Sequence, residues 1–546
     1  MSPQGGPPDT EPPRIVSSYP APYTLRYTDN RIALEFDEYV NQRSVEESIF
    51  ISPHVGELEF DWTGTEVEIS FSESLRKNTT YVVTVGTDAV DIRNNNRMAQ
   101  AFTLAFSTGD AIDRGAIQGR VFAGKHGDPS PEGVMIFVYL IDNLNPDTLN
   151  PRTLKPDYIS QTGSGGDFFL RHLSFGSYRV FAIKDEYRNL VYDPEVDEYG
   201  IPFRDIRLTP EDTLTSGIFM RLAKEDTTKP RLIKAVARDR NHVLIEFSEL
   251  LDTSSVSARS FSIADTFYIK QLDIRSFFPT PGKSSSMTLV TSHQDSTLRY
   301  RLTVSQAEDL AGNPINPLAS SLGFDGSGLE DTVGLRMWGW SAEDTSLGVA
   351  LDPEIFIFLT EAAQRTNDPD IIQLKDSTGK LISLDTQWMN DAIARVAPRD
   401  KLLGLMAYEL RIDLPKLKAW NGLLSRDTVK TIQLRTVDVD ELSAIEGVIV
   451  DKKVEEKGNL VVIAESVGGR EQRAYSVTLN KAGVFMLPEI RGGRYTLRAF
   501  RDSDMNESYD PGKPFPFMKS ERFNVYADTL KLRARWPIEG LGLELK

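Results

Sequence analysis

Cysteine is absent from the 546-residue chain, which excludes disulfides, thiolate nucleophiles and cysteine-ligated zinc or iron–sulfur centres. Histidine is scarce: the five residues at 54, 126, 172, 242 and 293 are spread along the chain with no pair at i,i+4. No metal cluster is expected from them, and each reads as solvated or structural. Positive charge is also short, with 62 Lys+Arg against 79 Asp+Glu and a net charge of -17. A phosphate-tracking surface needs a basic footprint, so nucleic acid is not an expected partner. No run approaches the roughly 18 apolar residues that span a bilayer, and the longest stretches, such as Val134 to Ile141, are strand-sized.

Catalytic signatures are missing too. There is no Gly-x-Ser-x-Gly elbow, and the serines near Gly163 to Gly166 read as loop residues. Gly282-Lys283-Ser284 resembles the end of a phosphate loop, but Phe277 stands where the first glycine is needed. Paired carboxylates for glycoside hydrolysis need a walled cleft that small sandwiches rarely provide. An enzyme is not expected. Helix signals are confined to one turn opened by Ser44-x-x-Glu47 and another over Leu414 to Trp420.

What is present is enough apolar residue, 40% of the chain, to bury several cores, and a length that predicts about three to five domains. It is also a repeat. Gly166, Phe168, Leu170, Gly176 and Tyr178, then Asp185, Asn189, Tyr192 and Asp193, recur as Gly483, Phe485, Leu487, Gly493 and Tyr495, then Asp502, Asn506, Tyr509 and Asp510. Every pair is offset by 317 without a gap, and Leu173 is matched by Ile490. Both copies open with Ala-Ile-x-Gly (Ala116 to Gly119, Ala444 to Gly447) and close near Asp-Thr-Leu (Asp212, Asp528). Phe168/Leu170 and Tyr178/Val180 alternate at period two, as half-buried strands do, around a turn at Gly176 that reads as a hairpin. Each copy is expected to be a small antiparallel sandwich. The pattern Gly-x-Phe-x-Leu-x-x-Leu-x-x-Gly-x-Tyr resembles the carboxypeptidase-regulatory-like, or transthyretin-like, domain and covers 114-224 and 438-546.

A second repeat fills the rest. Asp9-Thr10-x-x-Pro13-Arg14-Ile15 recurs as Asp226-Thr227-x-x-Pro230-Arg231-Leu232, each followed by an alternating Phe-x-Glu strand ending at Phe36-x-Glu38 or Phe247-x-Glu249. Both then reach a tyrosine strand (Tyr81, Tyr300) and an Asp-[Ile/Leu]-x-x-Asn turn from Asp91 or Asp309. A divergent third copy runs through Ile355-x-Ile357, Tyr408-x-Leu410-x-Ile412 and Ile432-x-Leu434-x-Thr436, without the opening prolines. These segments resemble the bacterial Ig-like domains of S-layer and envelope proteins. The fold class is therefore all-β, an elongated string of tandem β-sandwiches: a flexible linker at 1-12, Ig-like domains at 13-110, 226-328 and 330-437, and transthyretin-like domains at 114-224 and 438-546. Connections of about five residues are too short to decouple neighbours, so the string is expected to be semi-rigid.

The start, Met1 to Asp9, has neither a basic nor an apolar signal-peptide region. This Pro/Gly stretch resembles the tether that follows the lipidated cysteine of Bacteroidetes-type envelope lipoproteins, with Met1 in the cysteine's place. That resemblance implies a lipid anchor as the route to the outer membrane. Asn78-Thr79-Thr80 and Asn506-Glu507-Ser508 fit the glycosylation acceptor pattern and are read as chance.

Two sets of residues are candidate sites. Asp502, Asp504, Asn506 and Asp510 place oxygens at loop positions 1, 3, 5 and 9, as a calcium site requires. The loop departs from an EF-hand, with Glu507 at position 6 and Lys513 at position 12, and the earlier copy has Tyr187 in place of Asp504. Because Asp and Asn also build Asx turns, a turn-forming role stands beside calcium as the one cofactor considered. Trp338 and Trp340, at i,i+2, fall on one face of a strand. They are candidates for glycan binding, against a core or inter-domain packing role. The expected function is that of a non-catalytic envelope lipoprotein, periplasmic or surface-exposed, acting as a spacer or scaffold for envelope proteins. The alternatives are an adhesin that binds surface glycans or proteins, and an accessory to an envelope peptidase.

Overall fold

Period-two alternation in the sequence becomes ten β-sheets in the computed structural model, which describes residues 10–545 apart from 54, 126–127, 143, 267–269, 281, 333, 342–347, 367, 453–456 and 469–471. Most of the linker, including Met1, together with His54 and His126, lies outside the described residues. The sheets pair face to face around separate cores, giving five sandwiches in chain order. They gather into two compact units, residues 1–225 with 443–546, and residues 226–442.

The first sandwich sets Ile15–Tyr19, Arg31–Phe36, Glu66–Phe71 and Leu58–Thr63 against Ile49–Ser52, Thr80–Val85 and Phe102–Ser107. Its short helix, Gln42–Glu46, starts earlier than the Ser44-x-x-Glu47 pattern implies, because the Asn41 side chain caps it by accepting from the Ser44 amide. The expected turn at Leu414 to Trp420 shrinks to the 3-10 segment Leu414–Lys416. The third and fourth sandwiches each pair two four-stranded antiparallel sheets.

A buried tyrosine gives these three sandwiches a common corner. The hydroxyls of Tyr81, Tyr300 and Tyr408 accept the amide N–H of Arg76, Asp295 and Leu403, each five residues upstream, at 2.7, 2.9 and 2.8 Å. A phenol hydroxyl taken from water needs such a partner, and the bond fixes the loop that feeds the strand. The Asp-[Ile/Leu]-x-x-Asn turns work the same way. Asp91, fully buried, accepts four successive amides from Arg93 to Asn96, and these bonds overcome the burial that would raise its carboxyl, leaving it lowered.

The second and fifth sandwiches correct the expected hairpin at Gly176. Asp167–Leu173 pairs with Gly115–Phe122, whereas Gly176–Lys184 joins the opposite sheet beside Met135–Leu140. Left-handed backbone at His172 (φ 63°) and, 317 residues on, Glu489 (φ 57°) turns the chain across the core. Neither copy is purely antiparallel, since Leu214–Arg221 and Ile538–Leu545 close their sheets parallel to the opening strand. That closure explains the Ala-Ile-x-Gly motif. A Cβ on Gly119 would sit 2.0 Å from the Ile218 carbonyl and 2.6 Å from the Phe168 ring, and one on Gly447 2.6 Å from the Leu541 carbonyl. The backbones touch where only glycine fits. Tyr178 and Tyr495 donate to the carbonyls of Ser174 and Arg491, again an equivalent pair.

Candidate functional site

The carboxylate loops leave the long central strands of the second and fifth sandwiches. In the fifth, Asp502 accepts the amides of Asn506 and Glu507 at 3.1 and 3.0 Å. Asp504 accepts from the Asn506 amide and side chain. In the second, Asp185 accepts from the amides of Asn189 and Leu190 at 3.2 and 2.9 Å, and Asn189 bonds Asp193. Both loops therefore use their shared Asp and Asn to hold backbone turns.

One member of the site escaped the sequence pattern. Glu521, almost completely buried, accepts the amides of Ser503 and Asp510, and Asp197 does the same for Glu186 and Asp193. The two are structural equivalents, yet four residues separate Asp193 from Asp197 and eleven separate Asp510 from Glu521. The following stretch runs fifteen residues to Asp212 but only seven to Asp528. Insertion and deletion nearly cancel, so the offset is 317 at Asp193/Asp510 and 316 at Asp212/Asp528, which hides the seven added residues.

Asp502, Asp504 and Glu521 each offer an oxygen within 4.8 Å of the others. The Asp510 carboxyl is raised by burial and then by the charges of Asp504 and Asp502. Glu521 is pushed up to about 7 by burial, against the pull of its two amide donors. This is a negative, partly desolvated pocket that favours a proton or a hard cation. Two further groups meet the same distance, Asp239 with His242 and Asp331, and Asp226 with Glu249 and Asp309. The first of these joins His242 to Asp239, three residues before it, and to Asp331, far along the chain.

The added residues reach across to the second sandwich. The Phe517 ring lies 6.0 Å from Phe181 and 3.5 Å from the Arg179 guanidinium. Arg152 stands over Phe515, and Tyr199 donates to the Gly512 carbonyl at 2.7 Å. Phe517 thus packs on a buried cluster built from Phe137, Tyr139, Phe181 and Tyr199. Cation–π and aromatic contacts of this kind are each worth roughly 1 kcal/mol beyond the area they bury.

Trp338 and Trp340 lie on the edge strand Met337–Trp340 with 53% and 47% of their surface exposed, so core packing does not hold them. Trp338 meets Phe358 edge-on at 6.0 Å. Phe356, opposite Arg395, alternates with the buried Ile355 and Ile357 and so faces outward with Phe358. The shared face expected for the two tryptophans is broken by a register shift between Met337 and Gly339, which sets Trp340 opposite the buried Ile357. The Gly282-Lys283-Ser284 stretch is a turn beside Trp338.

Residues 9–108 match the bacterial Ig-like domain family. The fold is thus that of an all-β chain of sandwich modules, and its first module is a bacterial Ig-like domain. No curated protein matches the chain. Similar solved structures include the N-terminal part of the bacterial S-layer protein SbsC, at 11% identity over 39% of this chain and 45% of that one, TM-score 0.17. The L,D-transpeptidase from Mycobacterium smegmatis is similar at 14% identity over 39% of this chain and 90% of that one, TM-score 0.15. The Bacillus anthracis TIE protein is similar at 10% identity over 100% and 76%, TM-score 0.15. The chain spans less than half the length of that S-layer fragment. At these scores the likenesses carry no argument about function.

Proposed function

We propose that the chain is a non-catalytic cell-envelope lipoprotein that acts as a scaffold, holding binding surfaces in fixed register for envelope protein partners. The observation that carries this reading is the locking of sandwiches to one another inside each unit. Phe515 and Phe517 fasten the fifth sandwich to the second. In the other unit, His242 of the third sandwich is held by Glu361 of the fourth, and Phe278 and Val290 of the third enter the fourth's core. A catalytic chain gains from a walled cleft with a reactive group, whereas rigid junctions between small sandwiches suit a presenter of surfaces. The domains at 114-224 and 438-546 are read as transthyretin-like on their sequence pattern. Cross-linking in the native envelope, followed by purification of the chain, tests the reading: a reproducible envelope protein partner supports it, and recovery of the chain alone argues against it.

Glycan binding is a second reading, favoured by the exposure of Trp338, whose ring meets Phe358, and of Trp340. Aromatic faces flanked by polar side chains such as Arg395 and Asp385, themselves 3.6 Å apart, suit the apolar faces and hydroxyls of sugars. Binding to a glycan array that is lost in Trp338→Ala and Trp340→Ala variants supports an adhesin.

A further inference from the structure

Between the second and fifth sandwiches, inside one compact unit, lies a cleft of about 720 Å³. Its apolar wall is aromatic: Phe122 packs 5.6 Å from Phe219 and 5.5 Å from Phe523, and Tyr509 stands 5.2 Å from Phe523. Its polar side mixes Arg120, Lys125, Arg221 and Arg498 with Asp128, Asp167 and Asp528. Arg120 is matched by Asp167 and Arg498 by Glu465. Arg221, half-buried, donates to the Gly124 carbonyl at 2.7 Å and faces the Tyr509 ring at 5.8 Å. Among the described residues it has no carboxylate in ion-pair contact. Its guanidinium is shifted down by burial and then by the positive charge of Arg498, and the buried Nε of Arg498 has no hydrogen-bond partner. Desolvated charges in proteins are normally paired. Here the Arg498 charge is met by Glu465, whereas Arg221 faces the cleft without a carboxylate of its own.

We propose that this cleft binds a carboxylate carried on an apolar body, namely the C-terminus of a peptide whose last side chain is hydrophobic. The Arg221 guanidinium receives the carboxylate, and the aromatic wall takes the side chain. Guanidinium forks match carboxylates in geometry. A single guanidinium without a carboxylate partner, in a cleft also lined by Asp128 and Asp528, matches a monoanion rather than a phosphate dianion, and the volume lies within the ~300–1,000 Å³ range of small-ligand sites. This deepens the scaffold reading by giving a partner's docking end a chemistry, and only the partner's identity rests on that reading.

The test is calorimetry on the full chain with N-acetyl-Leu-Phe, its C-terminal amide and inorganic phosphate, which requires no knowledge of the native partner. The acid should bind, the amide at least about tenfold more weakly, and phosphate more weakly still, since only the acid offers a carboxylate to the guanidinium fork. Arg221→Gln should weaken the acid about tenfold and leave the amide unchanged. Arg221→Lys, which keeps the charge and the fold but not the fork, should fall between them. Equal binding of acid and amide, tighter binding of phosphate, no binding at millimolar peptide, or an unaffected Arg221→Gln variant would each overturn the proposal.

Discussion

His242 Nε2 lies 3.1 Å from Glu361 Oε2, so a side chain of the third sandwich is gripped by one from the fourth. Its other nitrogen, Nδ1, meets Asp239 at 2.8 Å. Arg238 also bonds Glu361 at 2.7 Å, and Asp331 and Arg275 border the same small cavity. Burial opposes charging the ring, but the bonds to Asp239 and Glu361 outweigh it and raise the imidazolium to about 9. A raised histidine contributes stability that is complete below about pH 6.5 and is lost as pH rises through about 9. Chemical unfolding of the 226–442 unit should therefore weaken between these values. His242→Ala, which leaves Glu361 to Arg238 alone and Asp239 without its ring partner, should cost about 1–3 kcal/mol and flatten that dependence. A wild-type profile with no loss up to pH 10 would contradict this.

Glu521 gives the other unit the same sign of dependence in a lower window. Its folded carboxyl is raised from 4.5 to about 7, so its contribution is complete below about pH 4.5 and lost as pH rises toward 7. Replacing it with Gln removes the ionisation. Thermal unfolding of wild type against Glu521→Gln from pH 4.5 to 8 should show the difference between them changing across that window, and parallel curves would refute the assignment.

Calcium is the proposed relief for that negative pocket at neutral pH. Titration of the full chain should then show binding that Asp504→Ala abolishes and Tyr187→Ala leaves untouched, because only the last copy has a carboxylate at that loop position. Absence of binding in the unmutated chain ends the idea.

The exposed tryptophans predict a separation of stability from binding. Surface substitutions away from packed features usually stay within about 0.5 kcal/mol, and Trp340 exposes 47% of its surface. Trp340→Ala should leave the unfolding transition within about 1 kcal/mol of wild type while removing glycan binding. A large loss of stability would instead return the residue to a packing role.

Strand periodicity and the 317-residue offset made the sheets and the twin carboxylate loops legible, because each depends on neighbours within a few residues of chain. Long-range pairings were hidden. Glu521 was invisible because the insertion before it is nearly cancelled by a deletion after it. His242 looked isolated because its partner, Glu361, lies 119 residues away. The turn at Gly176 read as a hairpin because spacing alone does not say which sheet a strand joins. The left-handed backbone at His172 that sends it across the core carries no glycine signal.

The central claim is that the second and fifth sandwiches are held as one body by Phe515 and Phe517, and the missing cysteines make it directly measurable. Spin labels on Asp147→Cys and Lys531→Cys, both at exposed positions, report the distance between the two sandwiches by pulsed electron resonance in the otherwise intact chain. One narrow distance peak is expected, broadened when Phe515 and Phe517 are both replaced by Ser. A broad distribution in the unmutated chain, as for sandwiches joined only through their linkers, would contradict it.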